Sequence, residues 1–302
     1  MIFNQILRIF PRNFVQIREK YSTTSSKPDA RQAELMAKSL PKRALLPHVQ
    51  DIVIVASGKG GVGKSTCAAN LAVSLAAQGK SVGLLDADIF GPSIPLMMNL
   101  SETPLVDDKN LMIPPLNYGV KCISMGLLVN QGPVVWRGPL VMSALQRLLK
   151  GTNWGPSLDV LIVDTPPGTG DVHLSLHQNV PVSGVVLVST PQTAALEVTH
   201  RGAEMYKTLK VPIIGLVENM SHAVCDNCQH RVSLFGAKTQ KFAENNKINI
   251  LASIPLEKDV MECSDLGTPV SLKLPESHAA KEYQSLSHKV IEFLTNQPPK
   301  IN

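Results

Sequence analysis

No run of 18 apolar residues occurs in this 302-residue chain, so no segment reads as a membrane-spanning helix. Aromatic residues are scarce at 4%, yet apolar residues reach 44%, which suits a globular chain and argues against a disordered one. Cysteine is sparse too, with five residues at 67, 122, 225, 228 and 263. An odd number at irregular spacing argues against a secreted disulfide framework and for a reducing compartment. Acids are nearly missing from the start of the chain. Residues 1–43 carry nine Lys/Arg and three Asp/Glu, a balance of +6, so the rest of the chain is close to neutral at −1. A neutral body has no electrostatic footprint for a phosphate backbone, and no nucleic-acid partner is expected.

Residues 1–27, MIFNQILRIFPRNFVQIREKYSTTSSK, space arginines among apolar residues and end in a Ser/Thr cluster. This is the composition of a mitochondrial transit peptide, with cleavage expected near Tyr21–Ser22 and a destination in the matrix. Residues 28–50 are polar and broken by Pro28, Pro41 and Pro47, and read as a lead-in. From Asp51 to residue 296 short apolar runs alternate with helical stretches, and 297–302 read as a tail. Strands are expected at Ile52–Ala56, Ser81–Asp86, Val120–Met125, Val160–Asp164, Val185–Val188, Ile213–Glu218 and Ile250–Ile254. They are continuous and rich in Val, Ile and Leu, as central parallel strands are. Helices are expected at Ser65–Gln78, Leu140–Lys150, Ala194–Leu209, Lys238–Asn245 and Glu276–Thr295. The alternation predicts a doubly wound α/β domain with a mostly parallel sheet.

The first strand runs into Gly58-Lys59-Gly60-Gly61-Val62-Gly63-Lys64-Ser65-Thr66, and a helix follows. This is a phosphate-binding loop in its required strand–loop–helix context. Glycines let successive backbone N–H groups turn inward around phosphate oxygens, and the positive end of the helix faces the same anion. Lys64 is expected to reach the β- and γ-phosphates of ATP, and the Ser65 hydroxyl to complete Mg²⁺ coordination. Asp164 ends an apolar strand, the arrangement that holds a Mg²⁺-bound water, and begins Asp164-Thr165-Pro166-Pro167-Gly168-Thr169-Gly170-Asp171. Gly168 is expected to approach the γ-phosphate through its N–H and to move after hydrolysis. Asp88 follows another strand end and faces the crevice at the carboxyl edge of the sheet. Asn219 offers an amide that can read an adenine edge, and Pro255 begins a loop expected to cover the base.

Cys225-Asp226-Asn227-Cys228 admits several chemistries. His222 and His230 flank the pair, so one reading is an intrachain zinc site, although four ligands within nine residues leave little chain to wrap a tetrahedral ion. A redox dithiol is disfavoured because the pair does not open a helix after a strand. Two copies related by a two-fold axis would supply four thiolates, enough for a [4Fe–4S] cluster. Cys67, Cys122 and Cys263 read as buried or unpaired thiols.

GKGGVGKST, DADIFGPS, DTPPGTGD and ENM followed by C-x-x-C and Leu-Phe-Gly together resemble the Mrp/NBP branch of deviant-Walker P-loop ATPases, over about residues 45–295. The resemblance implies a nitrogenase-iron-protein-like P-loop fold and an ATP-sandwich homodimer. In that dimer Lys59 would reach the partner's nucleotide, and Asp88 would orient the attacking water or the metal shell. It implies a slow ATPase that carries a [4Fe–4S] cluster bridged by Cys225 and Cys228 of two subunits and passes it to apo iron–sulfur proteins. No cysteine precedes Cys67, where cytosolic relatives often carry four. This and the transit-like N-terminus favour the mitochondrial branch, whose clients are complex I subunits. A rival is a division-site partitioning ATPase that shares the loop and contacts a membrane. Such proteins tend to end in an amphipathic helix, whereas the last helix here is mixed in charge. Met97-Met98 and Trp136-Arg137-Gly138-Pro139 read as core, with a peripheral membrane or partner contact as their alternative use. A non-catalytic ATP-binding scaffold is a further rival, which intact Asp88 and Asp164 disfavour.

Overall fold

The computed structural model describes residues 45–128, 138–225, 227–228, 230–236 and 238–298. The transit-peptide reading, the lead-in up to residue 44 and Trp136-Arg137 lie outside these residues, while Gly138, from the same run read as core, is exposed. In chain order the strands are β1 (Val49–Ser57), β2 (Val82–Asp86), β3 (Leu105–Val106), β4 (Met112–Ile113), β5 (Leu116–Asn117), β6 (Val120–Ser124), β7 (Leu158–Asp164), β8 (Gly184–Ser189), β9 (Ile213–Asn219), β10 (Ala223–Val224), β11 (Arg231–Val232) and β12 (Ile250–Ile254). The helices are α1 (Lys64–Ala77), α2 (Ile94–Met97), α3 (Gly138–Lys150), α4 (Asp171–Asn179), α5 (Thr193–Thr208), α6 (Thr239–Asn246), α7 (Lys258–Asp265), α8 (Val270–Lys273) and α9 (His278–Thr295). All seven predicted strands and all five predicted helices form. The first strand opens at Val49, and Leu46 is buried ahead of it, so the folded body begins inside the segment read as lead-in. At the other end Gln297 donates to the Ser183 carbonyl, which ties the first tail residue to the body.

The main sheet has the order β12-β9-β8-β1-β7-β2-β6-β5. Every pair is parallel except β5–β6 at the edge. Strand side chains alternate between faces, and both faces are covered here. Val53 and Val55 of β1 enter a core with α1 and α9, while Ile52, Ile54 and Ala56 enter a second core with α3, α4 and α5. The apolar face of α9 (Ala280, Tyr283, Leu286, Val290) is buried. The last helix therefore spends its apolar surface on the core. No helix of the described residues is long and apolar enough to cross a membrane. Met98 is fully buried, in line with the core reading of the Met97-Met98 pair.

Strand numbers run away from β1 in opposite senses, towards β2 on one side and β8 on the other. The crevice at its carboxyl end is thus a topological switch point, where open α/β sheets bind ligands. The ends of β1, β2, β7 and β9 deliver Ser57, Asp86, Asp164 and Asn219 to this edge.

Candidate functional site

The loop after β1 is shaped by close approaches. Gly58 lies against the backbone of α5, and a methyl added there would sit 2.6 Å from the Val198 carbonyl carbon and 2.7 Å from the Thr199 nitrogen. Gly63 has φ 84° and caps α1, and a Cβ there would fall 2.1 Å from the Asn219 amide nitrogen. No side chain caps α1 and its first turn holds no acid, so its leading N–H groups remain suited to an anion. Lys59 and Gly60 are exposed at the mouth, while Val62 is buried and anchors the loop. A cavity of about 210 Å³ lies over the loop, lined among others by Lys59, Lys64, Ser65, Thr66, Asp88 and Pro167. Met97 lines it as well.

Gly58→Ala is expected to destabilise the fold by about 1–3 kcal/mol, because the obstruction is helix backbone rather than a movable side chain. Thermal unfolding and nucleotide titration check it. A wild-type melting temperature with undiminished binding would mean that α5 can retreat without cost.

Lys64 reaches back across the site. Its Nζ lies 2.5 Å from Asp164 Oδ1 and 3.1 Å from Ser65 Oγ, with Asp164 fully buried. The lysine expected to extend towards phosphate oxygens is here paired with the acid, so phosphate binding requires it to turn. Burial pushes the Asp164 carboxyl up, and the Lys64 ammonium and the Ser65 hydroxyl pull it back down. Its other oxygen, Oδ2, is buried without a hydrogen-bond partner. A carboxylate oxygen left over beside a serine hydroxyl is the donor set a hard divalent cation takes, so these residues fit Mg²⁺.

Asp86 stands next to Asp164 on the neighbouring parallel strand. It accepts from the Asp88 and Ile94 N–H groups at 3.1 and 3.3 Å and from Ser124 Oγ at 3.0 Å. Burial, and then repulsion from Asp164, push its carboxyl up to about 7. Sequence reasoning gave it no role, yet it shapes the loop that carries Asp88. Asp88 itself is half-buried on the cavity wall, with Oδ1 accepting from the Gly91 N–H at 3.4 Å.

The turn after Asp164 is stitched to β1. Thr165 Oγ1 donates to the Val55 carbonyl at 2.9 Å, and the Gly168 N–H donates to the Ser57 carbonyl at 2.8 Å. The N–H expected to meet a γ-phosphate is therefore engaged with the base of the phosphate loop, and must leave Ser57 to serve that purpose. Gly168 holds φ 96°, a conformation that L side chains rarely adopt.

Asn219 is the last residue of β9 and its amide donates to the Val62 carbonyl at 2.8 Å. Its visible task is to brace the loop from behind, with at least one N–H committed there rather than to a base. Pro255 lies beside it, since Ile254 pairs with Asn219 and the Ser221 N–H donates to the Ile254 carbonyl. The two residues thus meet at one edge of the crevice.

Three residues beyond Met220 the chain enters the small antiparallel β10–β11 ribbon, closed by the Cys225 N–H to the His230 carbonyl at 3.0 Å. Cys225 and Cys228 are both exposed on it. Among the described residues no three His, Cys, Asp or Glu side chains converge to hold a metal ion. His222 instead shares a 2.8 Å contact between its Nδ1 and Ser221 Oγ, and its Nε2 is buried. The other cysteines are buried, and desolvation pushes the Cys67 thiol up to about 12 and Cys122 up as well, so neither is a ready thiolate.

The structure therefore gathers the phosphate loop, Asp88, Asp164, Gly168, Asn219 and Pro255 at the carboxyl edge of the sheet, and sets the exposed cysteine pair on the short ribbon that follows Asn219. A family model described as ParA, NUBPL iron-transfer P-loop NTPase, matches residues 48–291. The iron-sulfur cluster transfer protein NUBPL of Mus musculus is 49% identical over 272 residues, covering 89% of this chain and 85% of the mouse protein. The iron-sulfur protein required for NADH dehydrogenase, mitochondrial, of Arabidopsis thaliana is 51% identical over 252 residues, covering 82% of this chain and 80% of the plant protein. Among solved structures, a nucleotide-binding protein of Archaeoglobus fulgidus in complex with ADP superposes with a TM-score of 0.67 at 37% identity, over 78% of this chain and 93% of the archaeal one. The cell-division ATPase MinD of Pyrococcus furiosus, at 20% identity and a TM-score of 0.61 over 80% of this chain and 99% of its own, shares the fold. With a phosphate loop, paired strand-end acids and half-identical relatives along most of its length, the chain belongs to the ParA-type NUBPL iron-transfer P-loop NTPase family.

Proposed function

We propose that this protein is an ATP-dependent carrier that delivers [4Fe–4S] clusters to apo iron–sulfur proteins, with mitochondrial complex I subunits as clients and the matrix as its place of work. The observation that carries this reading is the exposed Cys225/Cys228 pair, which presents two thiols per chain on the ribbon that follows Asn219. Two thiols cannot close a four-ligand site, and a two-fold axis doubles them. The cluster is cargo, held between two copies and released to an acceptor. The names of the mouse and plant relatives support the cargo and the client.

The crevice supplies the ATP side. The leading N–H groups of α1 and the glycines of the loop bind the phosphates, and Lys64 turns from Asp164 to the β- and γ-oxygens. Ser65 and Asp164 would hold Mg²⁺, which neutralises phosphate charge when bound. Asp88 orients a water towards the γ-phosphorus. A new P–O bond forms there as the bond to the β-phosphate oxygen breaks, leaving ADP and inorganic phosphate. Lys59, exposed at the mouth, serves the partner's nucleotide in the closed dimer. Turnover is slow because one chain alone lacks this element. A partitioning-type role finds no support in α9, whose apolar face is already buried.

Anaerobic reconstitution of the full chain with iron and sulfide tests the carrier reading. About four irons per pair of chains, transferred to an apo acceptor, is the expected result. Zinc at one per chain, or no metal, overturns it.

A further inference from the structure

Beneath the Pro166–Gly168 turn lies a side chain the scheme above does not use. His173 is the third residue of α4 and is fully buried. Its Nδ1 lies 2.7 Å from the Tyr206 hydroxyl, with the rings edge-on at 87° and 5.8 Å apart. Its Nε2 is buried and meets no hydrogen-bond partner. The Pro166 and Gly168 backbone carbonyls act on the imidazole and favour its protonated form, but neither completes a hydrogen bond with Nε2. Burial drives the ring down to about 4, so it is neutral and carries a single N–H at physiological pH. The surroundings choose the tautomer. Tyr206 can donate to Nδ1, while the groups nearest the rest of the ring are carbonyl acceptors, so the N–H belongs on Nε2. The arrangement thus holds a buried donor with acceptors close by and misaligned. Such an orphan is costly, and a small shift of the turn removes the cost.

Tyr206 lies on α5, the helix whose backbone abuts Gly58. One helix therefore backs both the start of the phosphate loop and, through His173, the turn that Gly168 occupies. We propose that His173 is the positioning residue of this switch: its Nε2–H takes a carbonyl of the Pro166–Gly168 turn when the Gly168 N–H leaves the Ser57 carbonyl for the terminal phosphate. The two arrangements trade one hydrogen bond for another, and His173 biases the turn towards the triphosphate-bound one. This inference rests on the reading that Gly168 serves the γ-phosphate.

The test is an equilibrium titration of the full chain with fluorescent ADP and with a fluorescent non-hydrolysable ATP analogue, both with Mg²⁺. Wild type is expected to prefer the triphosphate. His173→Phe, which fills the space without a donor, loses about tenfold of that preference while ADP affinity holds. His173→Gln, which restores an N–H, keeps most of it. Tyr206→Phe, which releases the tautomer, falls between. Equal preference in wild type and His173→Phe overturns the role of His173 and leaves the Gly168 reading standing. A wild type without any preference overturns both. Loss in His173→Gln as deep as in His173→Phe assigns the effect to packing and overturns the proposal. Should His173→Phe fail to bind ADP, Tyr206→Phe decides: an unchanged preference there overturns it.

Discussion

Cys225→Ser is expected to abolish iron loading, taking a reconstituted pair of chains from about four irons to none. Each chain contributes two thiolates to a site that needs four, so one substitution removes two of the four ligands at once. A serine hydroxyl at neutral pH is a poor replacement for a soft thiolate. The loss should be local. Cys225 is exposed on a short ribbon, away from both cores, and surface changes of this kind move stability by about 0.5 kcal/mol or less. Melting temperature and ADP affinity should therefore match wild type. Cys228→Ser should behave identically. His222→Ala and His230→Ala separate the cluster from zinc, because neither imidazole is a ligand in the bridged scheme and both would be in an intrachain site. Full iron content in Cys225→Ser, measured by iron analysis and Mössbauer spectroscopy, sinks the bridged cluster. Metal lost in both histidine variants would return the zinc reading.

Much of the fold was legible because the central strands are apolar on both faces, and such runs stand out against the polar helices between them. The phosphate loop was legible because the glycines and the lysine sit within nine consecutive residues. What the sequence hid has physical reasons. The helix α4, Asp171–Asn179, reads DVHLSLHQN, and it buries His173 and Asn179, so apolar periodicity misses it. The strands β3, β4 and β5 span two residues each, too few to show a period. Pairing between distant residues was equally hidden. Lys64 and Asp164 are 100 positions apart, and nothing local says that the lysine leans on the acid. The motif put Asp88 at the crevice, but only the fold reveals that Asp86, two residues before it, is buried beneath that loop and holds the Asp88 N–H. Its motif made Gly168 a switch candidate, but the bond from its N–H to the Ser57 carbonyl belongs to tertiary structure.

Lys64→Ala is expected to uncouple the two halves of the molecule. In the wild type the ammonium is buried against a fully buried carboxyl at 2.5 Å. Removing one partner of a buried pair ordinarily costs about 3–5 kcal/mol, because the remaining charge has no compensation. Here the cost should be smaller. Burial already pushes the Asp164 carboxyl up, and without Lys64 it can take a proton instead of remaining ionised. The variant should fold, with a melting temperature that falls less at pH 6 than at pH 8. Nucleotide binding suffers more, since a charge-assisted contact to phosphate contributes about 1.5–3 kcal/mol, or roughly 10–100-fold in affinity. The cysteine ribbon has no part in that loss, so reconstituted Lys64→Ala should still hold about four irons per pair of chains. Delivery to an apo acceptor is the discriminating measurement. If ATP drives release, the variant with ATP should transfer no faster than wild type without nucleotide. Transfer at the wild-type ATP-stimulated rate would mean that the crevice and the cysteines work independently, and that ATP serves some step other than letting go of the cluster.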